Sequence, residues 1–272
     1  MKRPWIYILL LVAGACAKQA DWEVPENSES MLVVESTLTN EPKKQDVYLH
    51  YNIHDLNDEP LPLSGASVII NDEDSTWQLD EDPLSPGKYS SKTNIVARLG
   101  QNYSLLILFD EKIYSSQAEM APGKTFSELL YSKNADDDLY HIDYVASAFE
   151  SEDPAMWEVL LDWSMVPGYE NSDPAETRKR LLFYTLTTLD VSQVFAPVVE
   201  DVTFPAGTLI EQKRYSLTPG HADFVRSLLL ETSWQGGVFP TDPANVPTNI
   251  SAGGLGYFGV CAVNSLSLTV NP

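Results

Sequence analysis

The sequence has little positive charge and little cysteine. Asp and Glu number 39 against 17 Lys and Arg, which gives a formal net charge of −22. Duplex nucleic acids and anionic lipid headgroups are held by clustered Lys and Arg. We therefore expect neither a nucleic-acid partner nor electrostatic attachment to a membrane. The two cysteines exclude a scaffold held by several disulfides, and an apolar share of 43% excludes wholesale disorder.

The apolar run at the N-terminus is too short to span a bilayer. Residues 5–15 (WIYILLLVAGA) carry no charge and follow Lys2 and Arg3. A spanning helix needs about 20 apolar residues, whereas a signal-peptide h-region has this shorter length. Small residues precede Cys16, which resembles the lipobox of bacterial lipoproteins. We predict that residues 1–15 are a lipoprotein signal peptide and that Cys16 carries the covalent lipid; the alternative is an ordinary secretory signal that ends beside a cysteine.

The residues after Cys16 indicate where the anchored protein resides. Ala17 stands where an Asp tends to favour retention in the inner membrane of lipoproteins. We therefore expect a lipid-anchored protein of the outer membrane, on the cell surface rather than on its periplasmic face. Residues 16–30 are polar and are interpreted as a flexible tether.

Apolar and polar residues alternate along much of the chain, which predicts a mainly β fold. Short strands separated by turns over residues 31–122 predict an immunoglobulin-like β-sandwich. Residues 123–272 predict a second β-rich domain that contains one packed helix near 219–235. Thr218 is the expected N-cap of that helix, and the polar stretch 167–180 is expected to be a loop.

Motifs for the common catalytic chemistries are lacking in the sequence. It has no G-x-S-x-G, S-x-x-K or H-E-x-x-H motif, and no phosphate- or dinucleotide-binding glycine loop. His50 and His54 share one face of a predicted strand but lie about 13 Å apart along it, too far to bind one zinc ion. Cys261 lies in an apolar run far from any histidine in sequence, so we predict a buried thiol. We expect no enzyme; an envelope hydrolase built from distant carboxylates is an alternative.

Clusters of acidic residues in predicted loops are weak candidates for a calcium site. Calcium prefers six to eight oxygen ligands from such loops. The strongest of these clusters comprises Asp136, Asp137 and Asp138, although its spacing does not match an EF-hand loop. The alternative is a solvated turn that contributes to solubility. We otherwise expect no cofactor.

Two further patterns point to carbohydrate. Ser75 lies in Asp-Ser-Thr, which is similar to the acceptor for O-glycosylation in Bacteroidota envelope proteins, and is a weak candidate glycosylation site. Trp157, Trp163 and Trp234 are able to stack on sugars if exposed. Their spacing favours the alternative, in which they belong to the hydrophobic core.

Six short motifs resemble, in order, a family of Bacteroidota lipoproteins known as domain of unknown function number 4249. The most characteristic is the ending, Asn249 and Ile250 followed by residues 253–259 (GGLGYFG). The others are 32–35 (LVVE), 65–68 (GASV), 86–89 (PGKY), 100–105 (GQNYSL) and 224–228 (FVRSL). The four glycines of the ending are interpreted as a bulged or tightly turned strand, with docking against a partner barrel as the alternative.

The resemblance implies a role but no catalytic residues. Members look like outer-membrane lipoproteins with an N-terminal immunoglobulin- or transthyretin-like sandwich, and many are encoded beside SusC-like TonB-dependent receptors. We therefore expect a non-enzymatic accessory of such a transporter in nutrient capture. The alternative is a surface lipoprotein that binds glycan or protein without a transporter.

Overall fold

The computed structural model describes residues 30–53, 59–187, 202–232 and 246–271. The predicted signal peptide, Cys16, nearly all of the tether, His54 and Trp234 lie outside these ranges. The described part of Met31–Pro272 belongs to one compact unit. It is mainly β, as predicted.

The strands of the N-terminal half are followed by those of the C-terminal half, with two helices in the described ranges. The elements are β1 (Leu32–Thr39), β2 (Asp46–Tyr51), β3 (Ser67–Asn71), β4 (Thr76–Glu81), β5 (Lys88–Ser91), β6 (Asn102–Phe109), β7 (Lys112–Ala121), β8 (Leu130–Lys133), β9 (Leu139–Tyr144), β10 (Ala155–Asp162), α1 (Pro174–Thr177), β11 (Arg178–Thr185), β12 (Phe204–Pro205), β13 (Leu209–Ser216), α2 (Pro219–Thr232), β14 (Leu255–Cys261) and β15 (Val263–Thr269).

Eight strands form a closed barrel in the order β1-β14-β7-β6-β3-β4-β5-β2. Residues 31–122 were expected to form a sandwich of two sheets, and they supply seven of these strands. The eighth, β14, comes from the far end of the chain and runs parallel to both neighbours, β1 and β7. Because β14 fills the space between two strands that otherwise have open edges, the sheet closes on itself instead of forming two facing layers.

The barrel interior follows from the alternation in the sequence. In β1, Leu32, Val34 and Leu38 point inwards and are buried. The pattern repeats in the other strands, and Phe258 and Val260 of β14 complete the same core. Outward-facing residues of β1 and β14 therefore remain available for contacts outside the barrel.

The remaining strands form two further sheets. The four-stranded sheet has the order β11-β10-β13-β15, and the three-stranded sheet has the order β12-β9-β8. A second core lies between them and includes Trp157, Val159 and Leu161 on one side and Tyr140 and Phe204 on the other. The C-terminal chain passes from β14 in the barrel to β15 in the four-stranded sheet across a single residue, Ala262.

Two local expectations have different outcomes. The helix expected near 219–235 is confirmed as α2 over its described part. The stretch 167–180 was expected to be a loop, but it contains the one-turn helix α1 and the first three residues of β11. Asp173 accepts a hydrogen bond from the Ala175 N–H and so caps α1. No helix in the described part of the chain is long and apolar enough to cross a membrane.

Candidate functional site

Helix α2 lies over the outside of the barrel, and its start is fixed by Thr218. The Thr218 Oγ1 accepts a hydrogen bond from the His221 N–H at 3.4 Å, and its carbonyl accepts one from the Ala222 N–H at 2.9 Å. Thr218 therefore serves as the predicted N-cap. Pro219 follows it at the first helical position, where its missing N–H has no intrahelical acceptor.

Gly259 of β14 allows α2 to approach the barrel closely. A Cβ atom at this position would lie 2.3 Å from His221 Cε1 and would clash with the ring, so only glycine fits here. Gly256 has a φ of +87°, and a Cβ there would lie 2.0 Å from the Val34 carbonyl oxygen of β1. Gly256 and Gly259 therefore each permit a close contact within the chain.

Three aromatic rings stack between α2 and β14. The His221 and Tyr257 rings lie 4.7 Å apart and nearly parallel, and the Phe224 and Tyr257 rings lie 5.0 Å apart. His221 is the innermost member and is 8% exposed. The stack forms one wall of an open groove beside the outward face of β1.

This β1–α2 groove has a volume of about 710 Å³. Its floor is the outward face of β1, where Val33, Glu35 and Thr37 point away from the barrel core. Its walls are mostly apolar and consist of His221, Phe224, Leu228, Val246, Thr248, Leu255 and Tyr257. A concave apolar surface of this size with a few polar groups is typical of sites for small ligands.

A second, charged groove of about 570 Å³ shares Glu35, Ser36 and Thr37 with the first. It lies between the outward face of the barrel and the outer face of the four-stranded sheet. The barrel contributes Thr39, Lys43, Lys44, Gln45, Asp46 and Tyr48, and the sheet contributes Met156, Arg180 and Tyr215. The two grooves together offer apolar and charged surfaces that meet along β1.

Glu35, where the grooves meet, is held ionised by His50. The His50 Nε2 lies 3.0 Å from Glu35 Oε1, and its Nδ1 lies 3.0 Å from the Tyr51 carbonyl oxygen. Both partners are acceptors, so the imidazolium that donates from both nitrogens is favoured. The hydrogen bond lowers the pKa of Glu35 and raises that of His50. An ionised Glu35 is poorly suited to act as a general acid at neutral pH.

Behind the charged groove lies a polar cluster that was not predicted from the sequence. Glu158 of β10 is 7% exposed, receives a hydrogen bond from the Tyr215 hydroxyl at 2.9 Å, and pairs with Arg180 Nε. Burial and the Glu158 carboxylate raise the pKa of Tyr215, so its phenol remains a donor. The signal was an acidic residue inside an apolar strand, but its partners are on other strands and cannot be read from local pattern.

Lys213 links this sheet to the barrel. Its Nζ lies 3.0 Å from Glu41 Oε1 in the β1–β2 connection. Burial opposes ionisation of Glu41, but hydrogen bonds from Lys43 and Lys213 outweigh it and lower its pKa. The pair therefore holds the β1–β2 connection against β13.

Cys261 is buried, as predicted, although a histidine lies beside it. Its Sγ is 3.7 Å from His221 Nδ1, a neighbour 40 positions away that sequence distance could not reveal. Burial raises the pKa of the thiol to about 12 and lowers that of His221 to about 4. Both groups are neutral at physiological pH, so the pair lacks the thiolate that nucleophilic chemistry requires.

The acidic candidates for calcium lie in the turn between β8 and β9. Asp137 Oδ1 accepts hydrogen bonds from Asn134 Nδ2 and from the Leu139 N–H, and Asp138 pairs with Lys133 at 2.7 Å. Asp136 is exposed. No group of three or more potential ligands in the described ranges is arranged to hold a metal ion. These contacts describe a turn stabilised by its own side chains.

The carbohydrate candidates lie in different environments. Ser75 is exposed in the β3–β4 turn, where its N–H donates to Asp72 Oδ1. Trp157 and Trp163 are 7% and 6% exposed and belong to the second core, so they cannot serve as sugar platforms. The Trp157 Nε1–H donates to Thr185 Oγ1, and an edge of Phe126 packs against its ring.

The remaining histidine in the described ranges, His141, makes local contacts. His141 Nδ1 lies 2.6 Å from Asn134 Oδ1, and its Nε2 lies 3.1 Å from Asp143 Oδ1. It therefore belongs to the β8–β9 hairpin. None of the described histidines shares a metal site with another.

Comparison with known families identifies the chain over most of its length. The sequence profile of Domain of unknown function (DUF4249) matches residues 18–267. The chain belongs to the DUF4249 family. No curated protein matches it.

Three of the six motifs of this DUF4249 protein meet at the β1–α2 groove. The opening strand 32–35 supplies part of the floor, the helix motif 224–228 supplies one wall, and the ending 253–259 supplies the stacked Tyr257. The first and the last of these segments come from opposite ends of the described chain. Their meeting at one concave surface makes this groove the candidate functional site.

Proposed function

We propose that this DUF4249 protein is a surface-facing outer-membrane lipoprotein that assists a TonB-dependent transporter in nutrient capture. The N-terminal signal with Cys16 supports lipid attachment, because three features of the segment agree: the basic start, the length of the apolar run and the small residues before the cysteine. The transporter is proposed as partner because the chain resembles lipoproteins that are encoded beside TonB-dependent receptors. The protein acts by binding and not by catalysis.

The observation that carries the binding role is the β1–α2 groove. Three motifs of the family build it, and its wall presents the stacked rings of Phe224 and Tyr257. In this proposal the groove receives cargo, while the lipid on Cys16 keeps the protein beside the transporter. The burial of Trp157 and Trp163 weakens the alternative of autonomous glycan binding.

A mild-detergent pull-down of the tagged full chain from native membranes tests the partnership. We expect a stoichiometric TonB-dependent barrel to be recovered with the protein, identified by mass spectrometry. Protease treatment of whole cells should degrade the protein if it faces outwards. Recovery of the protein as a free species only would refute the transporter role.

The cargo role of the groove is tested by a charge placed on its wall. Leu228→Glu introduces a carboxylate at a position that is 41% exposed on α2, whereas Leu84→Glu makes the same change at a 91% exposed position that does not line the groove. We expect small molecules from the culture medium to be released on denaturing the wild type and Leu84→Glu, and to be lost from Leu228→Glu. Equal retention by both variants would exclude the groove as the cargo site.

A further inference from the structure

One edge strand of the four-stranded sheet lacks the protection that the other described edges have. Open edges invite pairing with another strand unless charge, Pro, a bulge or a covering segment prevents it. In β11 the edge carries Arg178 and Arg180, and the loop 147–150 bonds to Leu186 just beyond its end. The edges of the three-stranded sheet are β12, two residues long with Pro205, and β8, four residues long with a register shift.

The exception is β15, Val263–Thr269, with the sequence VNSLSLT. It has no charged residue and no Pro, although 21% of the chain is charged. Its pairing with β13 is regular along its length. Ser265, Ser267 and Thr269 are exposed on the outer face, while Leu266 and Leu268 on the other face are only half buried.

The hydrogen bonds at both ends of β15 show which residues face outwards. Ala262 accepts from the Ser216 N–H, and the Val270 N–H donates to the Thr208 carbonyl, so even-numbered residues bond to β13. Backbone groups alternate in direction along an antiparallel strand. Odd-numbered residues therefore point their N–H and C=O groups away from the sheet.

The first of these outward residues is already satisfied by a side chain. Asn40 Oδ1 accepts from the Val263 N–H at 2.7 Å, and Asn40 Nδ2 donates to the Val263 carbonyl at 3.2 Å. Within the described part of the chain, no comparable bonds reach the backbone of Ser265, Ser267 or Thr269. These three residues form a row of outward-facing backbone donors and acceptors, which we name the β15 edge.

We propose that the β15 edge pairs with the β15 edge of a second copy of this chain, antiparallel and centred on Ser267. In this register Ser267 faces itself, and Ser265 faces Thr269 of the partner subunit. Every outward N–H and C=O of the three residues then has a partner. Leu266 faces Leu268 of the partner subunit on the half-buried side, so both gain apolar contacts.

A second copy is the occupant that the charge distribution favours. Two molecules that each carry a net charge of −22 repel one another, so they can approach best along a surface without charge. The uncharged β15 is such a surface, and two-fold symmetry makes it complementary to itself. The proposal is independent of the transporter role, since it rests only on this strand.

The test measures the mass of the full chain in detergent by light scattering over a dilution series. We expect twice the single-chain mass for the wild type and for Ser265→Lys/Thr269→Asp, which places opposite charges across the two-fold axis. In Ser265→Asp/Thr269→Asp like charges face each other, so the dimer dissociation constant should rise about tenfold or more. A single-chain mass at every concentration would overturn the proposal, as would a dimer that is equally tight in both variants.

Cysteine cross-linking tests the register. Across a hydrogen-bonded antiparallel pair the Cα atoms lie about 5.5 Å apart, a separation that a disulfide can bridge. Ser267→Cys should therefore form a covalent dimer on mild oxidation. Ser265→Cys is the matched control, because its own copy lies about 13 Å away along the strands and should not react. Efficient cross-linking of Ser265→Cys instead of Ser267→Cys, or pairing of the strand with the transporter in place of a second copy, would contradict the proposed contact.

Discussion

At the scale of single residues, His221 bonds to the N-cap of α2, is buried against β14 and lines the β1–α2 groove. Thr218 orients it at the start of α2, Gly259 leaves room for its ring, and Tyr257 stacks on it. The sequence gives no sign of these contacts, because Gly259 and Cys261 are some 40 positions away from His221 and no local pattern connects them. The periodicity of α2 was visible, but the surface onto which α2 packs was not.

The buried His221 should make the protein less stable in acid. Burial lowers its pKa to about 4, against about 6.5 in the unfolded chain. Between those values the unfolded state binds the extra proton, so stability falls as pH falls from 6.5 to 4, by about 3 kcal/mol at most. Urea unfolding at several pH values measures this slope.

The His221→Gln variant supplies the control for that prediction. It removes the titrating group but keeps a polar side chain, so its stability should depend less on pH in the same window. The His50–Glu35 pair changes stability mainly outside this window, because the raised pKa of His50 acts above pH 6.5 and the lowered pKa of Glu35 acts below about pH 4.5. Both chains contain that pair, so the difference between their slopes isolates His221. Identical slopes would show that His221 is accessible to protons in the folded protein.

At the scale of elements, the strands with strict alternation were predictable, and their partners were not. The alternation of Val47, Leu49 and Tyr51 indicated β2, and that of Trp157, Val159 and Leu161 indicated β10. Alternation reports which face is buried but not which strand lies alongside. The parallel insertion of β14 and the closure of the barrel therefore had no signal in the sequence. Without that signal, the strands of residues 31–122 were expected to form a sandwich.

Among contacts between elements, the pair of hydrogen bonds between the Asn40 side chain and the Val263 backbone should be the easiest to test by mutation. Its side chain bonds both the N–H and the C=O of Val263, tying the β1–β2 connection to the start of β15. Asn40→Ala leaves two partly buried backbone groups unpaired, which should lower the free energy of unfolding by about 1–3 kcal/mol. Asn94→Ala is the matched control, because that amide makes one exposed bond, to the Pro42 carbonyl. An equally small effect of both substitutions would mean that water replaces the two hydrogen bonds of Asn40.

At the scale of the whole molecule, the barrel depends on both ends of the described chain. β1 begins at Leu32, and β14 pairs with it from Leu255 to Cys261 in a continuous parallel register. Such contacts between distant parts of a chain form late and slowly in folding. The split at residue 122 suggested by the local patterns coincides with the end of β7, but it leaves the barrel one strand short.

A fragment of residues 31–122 should therefore fail to fold by itself. It lacks Phe258 and Val260, which are 0% and 2% exposed in the barrel core, and it leaves the edges of β1 and β7 open. We expect broad amide resonances and no cooperative unfolding transition, because the missing strand removes both apolar burial and backbone hydrogen bonds. Fusing residues 246–262 to its end should restore a cooperative transition, provided that the linker has about a dozen residues or more, since β14 runs parallel to β7 and the chain must cross back. If the fragment alone unfolds as cooperatively as the fusion, β14 is an addition to a barrel that is already complete without it.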